Sequence, residues 1–121
     1  MRNPFRKDYE ISLNRVHDTV RISENGEILT LTVNADPMRL VAALSKAQKA
    51  LTESVNKNDP DDGEIRNAAE LFATAIFGPE QTKKLFDFYT GDSSCVINVC
   101  GQYFRDRLGK KIADQQKKLK P

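Results

Sequence analysis

The chain has 121 residues, of which 39% are hydrophobic and 30% are charged, and its formal net charge is +2. This length corresponds to a single domain, residues 1–121, which can bury about two-thirds of the surface that its unfolded form would expose. The longest uncharged run, 93–104, has 12 residues, fewer than the roughly 18 apolar residues that cross a bilayer, so a membrane protein is not expected. Residues 1–8 combine charges with no apolar stretch, which is typical of a loose leader rather than a secretory signal. We therefore expect an intracellular, cytoplasmic protein.

The charges are unevenly distributed along the chain. Residues 58–92 carry three basic and eight acidic side chains, whereas residues 93–121 carry seven basic and two acidic ones. An acidic middle followed by a basic end favours self-docking or acidic partners. We expect residues 113–121 to form a frayed basic tail.

The segment 9–33 has the alternation that is typical of β-strands. Asn25-Gly26 separates two alternating segments and is the strongest short-range signal of a two-residue hairpin turn, because both positions must adopt positive φ. The hairpin then has one apolar face, on which Ile22 opposes Leu29 and Val20 opposes Leu31. An earlier alternating segment is a candidate third strand, with apolar residues Tyr9, Ile11 and Leu13.

Two helices are predicted in the middle of the chain. Asp36-Pro37 combines a good N-cap residue with proline at the first helical position, and apolar residues follow at helical spacing to about Asn56. After a polar turn, 56–63, a second helix begins near Asp61 or Asp62, whose carboxylates suit the positive end of the helix dipole. The expected inward residues of the first helix are Leu40, Val41, Leu44, Ala47, Leu51 and Val55. Those of the second helix are Ile65, Ala68, Leu71, Phe72, Ala75 and Ile76.

Glycines delimit two further helices. Gly78 can supply a left-handed cap, and Pro79 starts a short third helix that stops at Gly91. Asp92 or the following serine caps a fourth helix, whose expected inward residues are Val96, Val99, Cys100, Tyr103, Phe104, Leu108 and Ile112. The predicted fold class is therefore α+β, mostly helical, with an N-terminal β-hairpin of two or three strands packed on three or four helices.

Two glycines, Gly101 and Gly109, lie inside the fourth helix, where each weakens the helix by about 1 kcal/mol relative to alanine. Close helix packing or a bend would explain them, and we favour this account over a helix that reorganises when a partner binds. Neither glycine belongs to a nucleotide-binding pattern such as GxGxxG or a Walker loop.

The sequence offers no constellation for catalysis, for a cofactor or for a metal. His17 is the only histidine, and no nucleophile motif such as GxSxG accompanies it. Cys95 and Cys100 are five positions apart on one helix and point some 140° apart, at about 100° per residue, so a disulfide is not expected. Their spacing is not CxxC and His17 is distant, so a zinc site has too few ligands. The acidic residues around Asp59 lack the spacing of a calcium-binding EF-hand loop. We therefore expect a non-enzymatic protein without a cofactor.

An aromatic cluster and the basic end of the chain are the candidate binding surfaces. The third helix has four large apolar side chains within five positions and cannot bury all of them against one neighbour, so we expect one pair to remain exposed. The pairs on a common side are Phe86 with Tyr89 and Leu85 with Phe88. The predicted partner-binding residues are Leu85, Phe86, Phe88, Tyr89, Lys110 and Lys111.

The basic residues of the last helix also suggest an alternative, a small nucleic-acid-binding or regulatory protein. Cations such as Lys117 and Lys118 can neutralise phosphates. The aromatic residues Tyr103 and Phe104, however, fall on the predicted inward stripe and are poorly placed as a stacking platform for bases. Nucleic-acid binding is therefore the less favoured interpretation.

The order of these pieces resembles that of the tail assembly chaperones of long-tailed phages and prophages of Gram-positive bacteria. That family has an N-terminal β segment, a helix rich in alanine and leucine, a helix ending in a phrase such as Phe-Gly, a small aromatic helix and a final amphipathic helix. The matching parts span residues 20–112. They are Asn25-Gly26-Glu27-Ile28, Asp36-Pro37 with its helix, Ala75-Ile76-Phe77-Gly78, Lys84-Leu85-Phe86, and Val96 to Cys100 continuing to Tyr103-Phe104. The basic tail after Ile112 is longer than that family leads us to expect.

The resemblance implies a non-enzymatic role in virion morphogenesis. Proteins of this family coat the tape-measure protein during tail assembly, recruit tail-tube subunits, work in many copies and are often absent from the finished virion. Some are also made in an extended form by ribosomal frameshifting. For this chain, the resemblance implies a homo-oligomer in the host cytoplasm whose partners are the tape-measure and tail-tube proteins, with no membrane partner.

Overall fold

The computed structural model describes residues 15–55 and 62–119 of the chain. Two antiparallel strands, β1 (Val16–Glu24) and β2 (Glu27–Ala35), are followed by five helical segments. The helical segments are α1 (Pro37–Val55), α2 (Asp62–Phe77), α3 (Pro79–Phe88), α4 (Ser93–Tyr103) and α5 (Gly109–Leu119). A π-helical turn, Phe104–Leu108, joins α4 to α5 with right-handed helical backbone angles at both junctions. The described chain is thus a β-hairpin packed on four helices, the last of them long and interrupted by the π turn. The predicted fold class is confirmed.

The hairpin forms with the predicted turn and register. Asn25 and Gly26 have φ values of 51° and 82°, as a two-residue turn with positive φ at both positions requires. Ile22 lies opposite Leu29, and both strands have nine residues. Three predicted segments lie outside the described residues: the third strand at 9–13, the leader 1–8 and most of the polar turn, 56–61.

Two aspartates cap helices as the sequence predicts. Asp36 Oδ2 accepts a hydrogen bond from the Arg39 backbone N–H at 3.2 Å. Asp92 Oδ1 accepts hydrogen bonds from the N–H groups of Ser94 and Cys95 at 3.0 and 3.3 Å. Each carboxylate therefore satisfies backbone donors that have no partner inside the helix.

Gly78 joins α2 directly to α3. Its N–H donates to Thr74 O at 2.9 Å, and its carbonyl accepts from the Thr82 N–H at 3.0 Å, so one residue ends the first helix and begins the second. With φ 85° and ψ 165°, it occupies an extended region of positive φ that is essentially restricted to glycine. The requirement for positive φ is as predicted, but the conformation is not the left-handed helical one.

Two residues of positive φ end α3, Thr90 at 53° and Gly91 at 81°. The Gly91 N–H donates to Phe86 O at 2.8 Å and the Thr90 N–H donates to Asp87 O at 3.1 Å, which are the two bonds of a Schellman cap. The left-handed position of this cap, where glycine is favoured, is therefore occupied by the β-branched Thr90.

Thr90→Gly is expected to raise the free energy of unfolding by about 1 kcal/mol, because left-handed backbone strain costs a non-glycine residue about 1–2 kcal/mol and the added entropy of the unfolded chain offsets only part of that gain. Urea unfolding followed by circular dichroism measures the change. Thr52→Gly, at an exposed position of α1, is the matched control and should lower stability by roughly 0.5 kcal/mol. A loss of stability in Thr90→Gly would contradict the strain argument.

The core lies between the inner face of the hairpin, α1, α2 and the long C-terminal helix. On α2, the buried face differs from the prediction: Ala69, Ala73 and Phe77 are buried, whereas the predicted Leu71 and Phe72 are only half-buried. Alanine at the centre of a helix face lets neighbouring helices approach closely, so α2 turns its small side chains inward. The largest fully buried side chains include Leu31, Leu40, Leu85 and Leu108.

Gln81 of α3 covers the outer edge of β2. Its Oε1 accepts a hydrogen bond from the Thr32 N–H at 2.8 Å, and its Nε2 donates to Thr32 O at 2.7 Å, so the side-chain amide pairs with β2 as a neighbouring strand would. The same Nε2 donates to Phe77 O, at the end of α2, at 2.7 Å. On β1, the Thr19 N–H donates to Asp18 Oδ1 at 2.9 Å. Side chains therefore occupy edge groups of both strands near the middle of the hairpin.

Gln81→Ala is expected to lower the free energy of unfolding by about 1–2 kcal/mol, because it removes three side-chain hydrogen bonds to backbone groups. It should also increase self-association at high concentration, since an unpaired strand edge invites pairing with another chain. Chemical unfolding and light scattering over a concentration series measure the two effects. Lys84→Ala, at an exposed position of the same helix, should change neither, and an equal effect of the two substitutions would refute the edge role.

The C-terminal helix α5 continues to Leu119 and contacts α1 and β1. The fraying expected for residues 113–121 stays a prediction. Across 15–55 and 62–119, none of the helices combines the length and apolar character that a membrane span needs.

Candidate functional site: an apolar groove beside the π turn

An open groove of about 360 Å³ lies between α1 and the π turn, with α2 at its base. Most of its lining is apolar, and the polar side chains Ser45, Gln48 and Arg105 stand at its exposed margins. The apolar lining includes Val41, Leu44, Leu51, Phe72, Phe104 and Ile112. We refer to this surface as the α1–π groove.

Phe104 is the exposed aromatic side chain of the groove, and it corrects one prediction. The sequence placed Phe104 on the inward stripe of the fourth helix, but 41% of the residue is exposed. Its N–H still donates to Cys100 O, so α4 sets its direction, at the edge of the buried stripe. After it, Tyr103 and Leu108 are both buried although five positions separate them, because one π turn brings residue i+5 close to residue i. The stripe therefore passes from Tyr103 directly to Leu108, and Phe104 faces the groove.

The π turn also keeps charges out of the core. In a regular α-helix, the residues three and four positions after Tyr103 would lie on its face, and these are Asp106 and Arg107. Both are exposed in the structure. The π turn thus contains one residue more than a regular helical turn. This extra residue keeps Tyr103 and Leu108 on one buried face and leaves Asp106 and Arg107 exposed to solvent.

Gly109 fits the end of the π turn. Its N–H donates to Phe104 O, and a Cβ on Gly109 would lie 3.2 Å from that oxygen and 3.8 Å from the Phe104 ring. This close approach agrees with the packing account of the glycine. Reorganisation of the helix on partner binding stays a prediction.

The π turn is tied to the hairpin by a buried carboxylate, that of Asp18. The Asp18 side chain is only 4% exposed and its Oδ1 accepts from Arg107 Nη2 at 2.8 Å. Its Oδ2 accepts from the Tyr103 hydroxyl at 2.8 Å. Because Tyr103 and Arg107 flank the π turn, these bonds fix the turn against the inner face of β1.

The sequence interpretation missed Asp18. It lies opposite Val33, on the inner face that the alternation of Val16, Val20 and Ile22 defines. Extending that alternation toward the start of β1 would have revealed an acidic residue at an inward position. A buried carboxylate needs donors, but the sequence does not say which of the distant donors supply them.

Burial and the hydrogen bond to Asp18 raise the pKa of Tyr103. The folded protein therefore holds the phenolic proton at pH values where the unfolded chain, with a pKa of about 10, has lost it. Stability from this group is complete below about pH 10 and falls as the pH rises further. Between pH 9 and 11, Tyr103→Phe should lose less unfolding free energy than the wild type. Urea unfolding measures the free energies. An equal loss of unfolding free energy in the wild type and in Tyr103→Phe between pH 9 and 11 would contradict this expectation.

The predicted aromatic residues are distributed differently from expectation. Leu85 and Phe86 are core residues, 0% and 5% exposed, whereas Phe88 and Tyr89 are half-buried. Neither expected pair is exposed as a unit, because α3 is covered on more than one side: Arg66 lies over the Phe86 ring at 4.8 Å. The Phe88 and Tyr89 rings contact each other edge to face at 5.1 Å.

The predicted lysines lie elsewhere. Lys110 is exposed next to the α1–π groove, and the half-buried Lys111 lines a separate cleft at the start of β1. Tyr89 lies at a cleft near the other end of β1, about 25 Å away along a strand of this length. The structure therefore does not unite the six predicted residues in one surface, and their role in partner binding stays a prediction.

Other polar groups show no arrangement for metal chemistry. His17 is exposed on β1, and Cys100 is buried, which raises its pKa to about 12. Within the part of the chain that the structure describes, His, Cys, Asp and Glu side chains form no group of three that can hold a metal ion. Compared with the clefts at the two ends of β1, the α1–π groove has the more apolar lining.

Comparison of the chain with protein-family models, with curated proteins and with solved structures finds no match.

Proposed function

We propose that the protein is a non-enzymatic tail assembly chaperone that coats a tape-measure protein and recruits tail-tube subunits in the host cytoplasm. The observation that carries the proposal is the α1–π groove, an open apolar surface with Phe104 on its wall. The resemblance of residues 20–112 to such chaperones supplies the identity of the partner.

The apolar lining of the groove suits a helix. An amphipathic helix binds by laying side chains at i, i+3, i+4 and i+7 into an apolar groove. The groove runs between helices and presents aliphatic side chains from α1 at its wall, with Phe72 of α2 at its base. A tape-measure protein is long and helical, so many copies of the chaperone can each hold one short stretch of it, and weak contacts add up by multivalency.

Self-association through helix faces is part of the proposal. Strand pairing is the alternative route to an oligomer, but Gln81 takes both edge groups of Thr32, and Asp18 takes the Thr19 N–H. These bonds would have to break before a neighbouring strand could pair along the whole edge. Helix docking needs no such loss.

Co-expression with a tape-measure protein of a long-tailed phage tests the proposal. The wild type should keep that protein soluble and co-purify with it. Phe104→Glu, which places a charge on the groove wall, should reduce the co-purified amount at least tenfold, since burying an unpaired charge is costly.

Met38→Glu is the matched control, because Met38 is 72% exposed on α1 and does not line the groove. It should bind like the wild type, and thermal unfolding should confirm that both variants are folded. Failure of the wild type to solubilise the tape-measure protein would contradict the proposed function. Equal losses of co-purified tape-measure protein in Phe104→Glu and Met38→Glu would show that the groove is not the binding surface.

A further inference from the structure

The helices that wall the α1–π groove are strongly basic. The segments 37–55 and 104–119 together carry nine basic and three acidic side chains, whereas the whole chain carries 19 and 17. Not all of these cations face the groove, since Arg107 binds Asp18 and Lys111 lines another cleft. The lining is mostly apolar, it includes the basic Arg105, and it contains no acidic side chain. Such a combination favours an apolar partner with acidic borders.

Arg105 places one of these charges in the groove itself. It is exposed, it lines the groove beside Phe104, and its Nη1 lies 3.2 Å from the position that a Cβ on Gly101 would take. The guanidinium therefore lies along the surface of α4, where glycine leaves room for it. Among residues 15–55 and 62–119, Arg105 has no ion-pair partner, whereas Arg107 is bound to Asp18.

We propose that the groove selects an amphipathic helix whose apolar stripe is bordered by carboxylates, one of which pairs with Arg105. This inference rests on the proposed function, because it specifies the partner helix that the groove receives. Guanidinium and carboxylate form paired, charge-assisted hydrogen bonds with defined geometry, so Arg105 fixes the register of the helix while the apolar lining provides affinity. The proposed occupant of the groove is therefore an acidic helical segment of another protein.

The lining argues against a nucleic acid as the occupant. Single strands bind to basic grooves through several aromatic side chains on which bases stack. The groove has Phe104 as its exposed ring, its other ring, Phe72, is half-buried, and its lining residues on α1 are aliphatic or polar. One exposed ring and a basic side chain beside an apolar lining therefore match an acidic helix better than a chain of bases.

Two designed peptides test the inference directly. Each has 18 residues and leucines at i, i+3, i+4 and i+7, with glutamates on both borders of the stripe in one peptide and lysines in the other. Fluorescence anisotropy of the labelled peptides with the full chain should show about tenfold tighter binding of the glutamate peptide, as expected for a few exposed ion pairs. Raising the salt concentration should reduce the difference.

Charge exchange provides the second arm. Arg105→Glu should weaken binding of the glutamate peptide about fivefold and strengthen binding of the lysine peptide. Arg21→Glu is the matched control, since it reverses one exposed charge on the hairpin, and it should leave the preference unchanged. Backbone amide shifts in the bound state should map to α1 and the π turn.

Several outcomes would overturn the inference. These are equal binding of the two peptides, an equal effect of Arg105→Glu and Arg21→Glu, and amide shifts away from the groove. If an 18-nucleotide single strand displaces the glutamate peptide, the groove binds nucleic acid instead. If the protein is a dimer and the peptide dissociates it, the groove is occupied by a second copy of the chain.

The result is separable from the proposed function. If the peptides are discriminated but the tape-measure protein is not solubilised, the groove binds acidic helices and the chaperone role falls. If the tape-measure protein is solubilised and the peptides bind equally, the chaperone role stands and the acidic selectivity falls.

Discussion

Asp18→Ala is expected to lower the free energy of unfolding by about 3 kcal/mol. The substitution removes the acceptor of the Tyr103 hydroxyl and of Arg107. Tyr103 is only 8% exposed, so its hydroxyl would remain buried without a partner, at a cost of about 1–3 kcal/mol. The lost packing of a buried side chain adds to this. Urea unfolding followed by circular dichroism measures the change.

Two controls separate the parts of this effect. Arg107→Ala should cost only about 1 kcal/mol, because the Arg107 side chain is 59% exposed and the buried Asp18 carboxylate keeps two other donors, the Tyr103 hydroxyl and the Thr19 N–H. Asp18→Ala combined with Tyr103→Phe should cost at least about 1 kcal/mol less than the sum of the two single changes, since the double variant buries no orphaned hydroxyl. Additive losses, or equal losses for Asp18→Ala and Arg107→Ala, would contradict the importance of the buried hydroxyl.

Deletion of Asp106 is expected to leave the protein folded. It shortens the step from Tyr103 to Leu108 from five positions to four, which is the spacing of a regular α-helix. The buried residues before and after the π turn then keep their places on one face, and the helix loses its distortion. Stability should fall by no more than about 2 kcal/mol, the cost of readjusting Arg107 and the ends of the turn. Thermal unfolding and the dispersion of backbone amide resonances measure the outcome.

Deletion of Asn98, another exposed residue of the same helix, should instead prevent folding. It turns everything after it by about 100° relative to Val96, so Cys100, Tyr103 and Leu108 leave the core together. The loss exceeds about 4 kcal/mol, as expected when several core side chains are displaced at once. Similar behaviour of the two deletions would show that the π turn does not correct the register of the helix.

Local signals in the sequence are sufficient for the hairpin and for most helix boundaries. Asn25-Gly26 determines the turn, and Asp36 and Asp92 act as caps, because each depends on groups within three positions along the chain. The buried alanines of α2 are harder to foresee. Ala69 and Ala73 gain their burial from close approach of neighbouring helices, whereas the interpretation gave more weight to larger side chains.

The groove could not be predicted, because it depends on contacts between distant residues. Helical spacing predicts Phe104 on the inward stripe, but it lies at the edge of that stripe and is exposed, and the π turn that follows it joins Tyr103 to Leu108 on the buried face. That turn is held by Asp18, 85 positions before Tyr103. The pairing of Gln81 with Thr32 spans 49 positions. No local sequence pattern predicts that a side-chain amide will bind the strand edge as a neighbouring strand would.

The bond between Asp18 and Tyr103 has a consequence for the order of folding. Closing a loop of 85 residues costs more chain entropy than closing the hairpin, whose strands meet through a two-residue turn. During synthesis, the hairpin leaves the ribosome long before its helical anchor does. The α1–π groove is therefore assembled only after Ile112 has left the ribosome, so a chain that is truncated before the π turn lacks the proposed binding site.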